Sequence, residues 1–176
     1  MIKINFSITP TIEELKQWVE GWEKEAIKDL TPYWDKYASR LVAEEIARVF
    51  VTEGYGTWAP LSYQYALAKA INYPGKTILR RKDRYFKAST RKAAPGNIYD
   101  RDANKMTWGA DLSWFAGAYD YPYPIAHEEG RGNLPPRPVY ALAEKSQALK
   151  DNLIVGLKTY IHKTIANETK KYFGKR

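Results

Sequence analysis

The sequence predicts an α+β fold: a small antiparallel β-sheet packed by helices, with long N-terminal and C-terminal helices. Three observations lead there. Residues 2–8 alternate Ile2, Ile4, Phe6, Ile8 with Lys3, Asn5, Ser7, the period of a half-buried strand. Residues 97–120 read as strands, Ile98-Tyr99 and then Met106, Trp108, Leu112, Trp114 and Phe115, joined by a polar hairpin loop at Asp100–Asn104. Leu149, Leu153, Leu157, Ile161 and Ile165 recur every four residues, with Ile154 and Tyr160 widening the stripe.

The remaining elements follow in chain order. Pro10 ends the first strand, and Thr11-Ile12-Glu13-Glu14 opens a helix, Glu14 standing where a capping box needs it. Leu15, Trp18, Val19 and Trp22 continue at helical spacing. Pro32 breaks or restarts the helix, with Thr31 as a new cap. Tyr33, Tyr37, Leu41, Val42, Ile46, Val49 and Phe50 then carry an amphipathic segment to Thr52, and Gly54 and Gly56 stop it. The turn Gly56–Leu61 leads into a short helix, 62–71; Pro74-Gly75 is the next turn. Residues 78–91, without Gly or Pro, predict another helix that ends before Pro95-Gly96. Residues 121–138 hold Pro122, Pro124, Pro135, Pro136 and Pro138, so a loop is expected there, neither strand nor helix. One long helix from Leu142 to Tyr172 closes the chain, its stripe expected to pack on the sheet. The 176 residues fit one structural domain, 1–176, with 1–34 as an extension and 119–138 as a Pro/Tyr-rich loop.

Composition narrows the chemistry. Cysteine is absent, which removes disulfides and thiolate metal sites, and the two histidines, His127 and His162, lack ligand spacing. No metal, cofactor or catalytic residue is expected. No segment approaches the roughly 20 apolar residues of a membrane span. The opening residues are too few and too polar for a signal peptide, so the cytoplasm is the expected compartment until the chain joins a partner. Aromatic content is 14%, with 6 Trp and 14 Tyr, residues enriched at interfaces. The net charge is +8, and +7 of it lies between Lys76 and Lys92: Lys76, Arg80, Arg81, Lys82, Arg84, Lys87, Arg91 and Lys92 against Asp83 alone. Such a cluster suits a polyanion or an acidic protein surface; a solvated helix face is the plainer reading.

Enzyme signatures fail on their residues. Gly75-Lys76-Thr77 imitates the end of a phosphate loop, but position 70 is Ala70, not glycine. No Gly-x-Ser-x-Gly elbow occurs. His127-Glu128-Glu129 would suit acid–base work, yet neighbours on an extended loop diverge and no nucleophile is evident nearby. Asp100–Asn104 lacks the glycine and closing glutamate of a calcium loop. Glu13-Glu14 and Glu44-Glu45 are adjacent helix positions expected on the solvent side. Arg84-Tyr85-Phe86-Lys87 would suit stacking of single-stranded nucleic acid, although Tyr85 and Phe86 at helical spacing read better as core or subunit contacts.

The order of motifs resembles the virion morphogenesis, or tail-completion, proteins of Mu-like and related tailed phages. Those proteins carry a long helix, a Trp-x-Pro-Leu turn, a short Lys-bearing helix, an Ile-Leu segment leading to Thr-Gly-x-Leu-x-x-Ser, a Tyr-Ala-x-x-His-x-x-Gly element and an Arg-Pro-Phe before a last helix. This chain offers Trp58-Ala59-Pro60-Leu61, Lys69, Ile78-Leu79 leading to Lys82–Ser89, Pro124–Gly130 with His127, and Pro136-Arg137-Pro138-Val139. The resemblance spans roughly residues 35–172. Asp83 stands for a family glycine, Tyr85 for a leucine and Val139 for a phenylalanine, and the stretch 119–124 is longer. The resemblance implies a structural virion subunit, not an enzyme. It would join tail to head at the neck as an oligomeric ring, commonly of six, against connector and tail-tube proteins and packaged DNA, assembled in a bacterial cytoplasm. A ring needs two different patches per subunit. Arg80, Arg81, Lys82, Arg84 and Lys87 are the expected lumen or interface residues. At helical spacing Arg80, Arg84 and Lys87 form one stripe. Tyr119, Tyr121, Tyr123 and Arg137 are the expected assembly contacts. Trp58, Pro60, Leu61, Gly130 and Pro138 are the expected structural anchors. The alternative is a small basic nucleic-acid-binding module.

Overall fold

A computed structural model describes residues 28–116 and 122–173. The expected strand at 2–8, the helix from Thr11, Glu13-Glu14, Tyr119 and Tyr121 lie outside the described residues.

Helix α1 is built from three continuous pieces, Thr31–Tyr33, a π-helical stretch Trp34–Ala38, and Ser39–Val51. Pro32 fits its first turn, where its missing N–H costs nothing. Thr31 is inside the helix and is not the cap; Asp29 accepts from the Thr31 N–H at 2.8 Å instead. Val42, Ile46, Val49 and Phe50 form the buried face. Glu45 lies on that side too and is buried, against the expectation that Glu44-Glu45 both face solvent; Tyr55 donates to it at 2.6 Å and Arg48 pairs with it at 3.0 Å.

After α1 come α2 (Tyr63–Asn72), α3 (Arg84–Thr90), strand β1 (Asn97–Arg101) and strand β2 (Met106–Ala110). β1 and β2 form a two-stranded antiparallel sheet with Asn97 opposite Ala110 and Arg101 opposite Met106. Asp102 shapes the hairpin turn by accepting from the Asn104 and Lys105 N–H groups. Met106, Trp108 and Ala110 point inward under α1 and α3. The Trp108 indole N–H donates to the Ser89 carbonyl at 2.7 Å. The α+β class therefore holds, with helices dominating.

Four expectations change. The helix over 78–91 shrinks to α3, because Leu79 and Asp83 take left-handed backbone, φ +65° and +55°, which no α-helix accommodates. Leu112–Phe115 is a 3-10 turn, not strand; Asp111 caps it by accepting from Ser113. The Pro-rich loop contains a helix, α4 (Tyr123–Glu129): Pro122 precedes it and Pro124 sits in its first turn, where proline is tolerated. The terminal helix is broken at Ser146 into α5 (Tyr140–Lys145) and α6 (Gln147–Phe173).

A fifth change concerns packing. Leu149, Leu153, Leu157 and Ile161 are all buried, as their spacing predicts, but against α1 and not the sheet. The Tyr33 hydroxyl reaches 120 residues along the chain to the Leu153 carbonyl at 2.6 Å. Asp35 fastens α1 to the hairpin by accepting from Lys92 at 2.6 Å, Tyr99 at 2.7 Å and Arg101 at 2.9 Å. These bonds, Lys92's foremost, hold its carboxyl well below the usual carboxylate range.

Candidate functional site

The Trp58 turn and the Arg137-Pro138 segment meet although about 80 residues separate them. Four consecutive residues, Glu53 to Gly56, take positive φ and reverse the chain after α1. Gly54 is required there: a Cβ would lie 2.3 Å from the Trp58 ring. Trp58 is thus pressed into the core beside Phe50, edge to face, and its indole N–H donates to the Pro138 carbonyl at 3.3 Å. Arg137, 3% exposed, forks onto the Ala59 carbonyl through Nε at 3.2 Å and Nη2 at 3.0 Å, with Pro60 O at 3.4 Å. Gly130, at φ +75°, lets the chain turn after α4 where a side chain would crowd the Leu134 carbonyl. Trp58 is buried, Leu61 and Pro138 are partly buried, and Pro60 is exposed. Arg137, expected at an interface, is spent inside the chain.

Beside this clasp opens a cleft of about 490 Å³ lined by Leu61, Tyr65, Lys69, Leu79, Arg81 to Arg84, His127 and Arg137 among others. Its floor holds buried cations. Lys69, 6% exposed, is the only buried residue of α2, and its ammonium donates to the Thr77 carbonyl at 2.6 Å. Burial pushes its pKa down, Arg137 adds to that, and Glu53 and Asp83 oppose it. Among the described residues neither Lys69 nor Arg137 has a carboxylate within ion-pair distance. Among the described residues Asp83 is the one carboxylate lining the cleft, and Lys76 and Arg80 (Nε at 3.0 Å) already hold it. Buried cations whose direct partners are carbonyls keep unused donors, and carboxylates beyond ion-pair distance offset only part of their desolvation. Leu79 and Asp83 both hold positive φ on the cleft wall, strain of the kind that gathers at binding sites.

His127 also lines the cleft, on α4 and not on an extended loop. Its Nδ1 is buried without a partner. Burial, reinforced by Arg137, lowers its pKa to about 4, so the imidazole is neutral at neutral pH. Glu128 turns the other way: it accepts from the Tyr85 hydroxyl at 2.7 Å and from the Val139 N–H at 2.8 Å, tying α4 to α3 and to the start of α5. Burial raises its pKa.

The basic stretch does not form the expected stripe. Arg80 precedes α3, pairs with Asp83 and lies over the Phe86 ring at 4.1 Å. Lys76 is also on Asp83, and Lys92 on Asp35. Arg81, Lys82, Arg84, Lys87 and Arg91 are exposed, Arg81 over Tyr73 and Arg84 over Trp114. Tyr85 is buried and Phe86 partly so, in an aromatic cluster with Phe50, Phe115 and Tyr123, which makes Tyr85 core and unavailable for base stacking. Tyr123 keeps 38% of its surface exposed beside that cluster.

The sequence named Lys69 only as a marker of the resemblance, put Glu45 on the solvent side, and weighed Glu128 only for acid–base work beside His127, where the structure gives both carboxylates packing roles. Lys69 had a signal: on α2 it lies opposite Tyr63, Leu67 and Ile71, whose spacing announces an apolar face. That face is outside. Tyr63 is 82%, Leu67 52% and Ile71 71% exposed. Among the described residues no three of His, Asp or Glu gather to hold a metal ion, and no helix is long and apolar enough to cross a membrane. No family model matches the chain, and comparison with curated proteins and with solved structures finds no match.

Proposed function

We propose that the chain is a structural virion protein of a tailed phage, a tail-completion or neck subunit that joins tail to head in an oligomeric ring. The observation that carries the reading is the clasp. The Trp58–Leu61 and Arg137-Pro138 motifs, which carry the resemblance from opposite halves of the chain, bind each other through Trp58 to Pro138 and Arg137 to Ala59 and Pro60. They act as one mechanical unit, which is what a load-carrying subunit requires of them. Around the clasp the chain sets out two kinds of contact surface, the cationic cleft and the apolar side of α2, and a closed ring needs unlike patches on each subunit. In this reading the exposed cations Arg81, Lys82 and Lys87 meet an acidic neighbour or packaged DNA, and the protein resides at the head–tail junction of the particle.

The test is complementation of a phage deleted for this gene. The triple variant Arg81→Gln, Lys82→Gln, Lys87→Gln alters exposed side chains, so the fold is expected to stand. Joined, infectious particles are expected to fall, with unjoined heads and tails accumulating in micrographs. Failure of the wild-type gene product to enter virions would reject the reading. A second reading, a nucleic-acid-binding module, rests on the same exposed cations. It predicts that the free subunit binds duplex DNA with an affinity that falls steeply with salt.

A further inference from the structure

The floor of the cleft carries donors that the chain itself does not use. Lys69 and Arg137 are 6% and 3% exposed, one on α2 and one just before α5. An ammonium and a guanidinium each carry several donors. Lys69 gives one to the Thr77 carbonyl at 2.6 Å, and Arg137 aims Nε and Nη2 at the Ala59 and Pro60 carbonyls. Among the described residues nothing accepts from the Arg137 Nη1 or from the rest of the Lys69 ammonium. On the same cleft His127 holds its buried Nδ1 without a partner. Three unlike nitrogen groups therefore share one recess with hydrogen-bonding capacity to spare.

Charge sets what can enter. Burial lowers the pKa of both cations, and at each of them Glu53 is the carboxylate that most opposes it. Glu53 already accepts from the Ile78 N–H at 2.8 Å, and Asp83 is matched by Lys76 and Arg80. Two buried cations against Glu53 leave the floor one positive charge in excess. A singly charged oxyanion closes that balance, whereas a doubly charged phosphate overshoots it. His127 is neutral at neutral pH and adds a polar contact without charge. Arg81, Lys82 and Arg84 are exposed at the rim, where solvent and salt screen them; they attract an anion without fixing its valence. The walls are apolar and aromatic: Ile78 is buried, and Leu61, Leu79, Tyr65 and Tyr123 line the sides. A cleft of about 490 Å³ has room for a body behind the anion.

We infer that the cleft is a binding site for a singly charged carboxylate borne on an apolar or aromatic body. Lys69 and the Arg137 Nη1 donate to its oxygens, His127 Nδ1 stands beside them, and Leu61, Leu79 and Tyr65 surround the body. The inference goes beyond the neck reading and does not depend on it. An acidic side chain of a neighbouring protein and a free organic acid present the same chemistry.

The test follows the histidine imidazole signals of the isotope-labelled, full-length protein by NMR while phenylacetate is added at constant ionic strength. The chain has two histidines, so His127→Asn assigns both signals. His162, exposed on α6 and outside the cleft, reports non-specific effects. Saturable shifts are expected at His127 and none at His162, and phenylacetamide, the neutral counterpart, is expected to shift neither. Lys69→Met is expected to weaken binding by about tenfold or more, the scale of one hydrogen bond to a charged group. Should that variant not fold, the ligand series on the wild-type chain decides alone. No shift at His127, an equal shift with phenylacetamide, tighter binding of inorganic phosphate than of phenylacetate, or undiminished binding by a folded Lys69→Met chain would overturn the inference. A blocked peptide, N-acetyl-Leu-Glu-Leu-amide, separates the two sources. Tighter binding than phenylacetate, lost when Gln replaces its Glu, supports the site and assigns the carboxylate to a protein side chain. Weaker binding than phenylacetate supports the site and assigns it to a free acid.

Discussion

Helices α6 and α2 carry the same apolar spacing and meet opposite fates. On α6, Leu149, Leu153, Leu157 and Ile161 stand four apart and are all buried, none more than 6% exposed. On α2, Tyr63, Leu67 and Ile71 also stand four apart, and each is more than half exposed. Periodicity reports that a helix has a face. It does not report what covers that face. α6 finds α1 alongside, whose Tyr33 packs under it and donates to its Leu153 carbonyl. α2 is held by one buried lysine whose ammonium reaches the Thr77 carbonyl, and its apolar face is left for something else.

The comparison is broken or sharpened by substitution. The largest effect is expected at the clasp. Trp58→Ala removes an indole packed against Phe50 and bonded to Pro138, and a loss of about 3–5 kcal/mol is expected in urea unfolding. An unchanged midpoint would remove the anchor role. On α6, Leu153→Ala or Leu157→Ala is expected to cost about 2–5 kcal/mol, because each leaves a cavity against α1. Thermal melts matching wild type would show that the stripe is not core.

The cleft gives a smaller, pH-dependent effect. His127 has a folded pKa of about 4, below its ordinary 6.5. Its neutral form therefore contributes stability that is fully present above pH 6.5 and is lost as pH falls through 6.5 toward 4. Glu128, raised by burial, works in the opposite sense, its contribution present at low pH and lost as pH rises, so the comparison has to be with a variant. His127→Asn is expected to lose less stability than wild type between pH 7 and pH 4.5, by on the order of 1 kcal/mol after allowing for partial solvent contact. Parallel pH profiles would show that Nδ1 is not confined as the structure places it.

The smallest effect on folding is expected on α2. Leu67→Ser and Ile71→Ser are each expected to move stability by about 0.5 kcal/mol or less, as exposed positions do. A loss comparable to that of Leu153→Ala, measured by the same melts, would mean that α2 belongs to the core and erase the contrast between the two helices.

Much of the fold was legible. The burial of α1 through Val42, Ile46, Val49 and Phe50 followed from spacing, as did the hairpin at 97–110 and the stop at Gly54. The misreadings share a cause. Residues 78–83 have helical composition, but Asp83 takes both Lys76 and Arg80 and turns the backbone left-handed. Residues 123–129 look like loop because of their prolines, yet proline in a first turn does not stop a helix, and Glu128 pins it from the far side by binding Tyr85 and Val139. In both places a contact distant in sequence outweighed local preference.

The candidate site divides in the same way. Residue types alone showed that positive charge concentrates between Lys76 and Lys92 and that an apolar α+β core exists; the anchor role of Trp58 and Pro138 was what the resemblance implied. Charge and hydrophobicity are properties of side chains, and their spacing survives any fold. Which cations stay free was decided by tertiary structure: Asp83 took Lys76 and Arg80, Asp35 took Lys92, and Lys69 and Arg137 were turned onto backbone carbonyls in a cleft. A carboxylate's partner and a carbonyl's donor depend on where distant segments arrive, and packing α1, α4 and the Trp58 turn together is what brought them there.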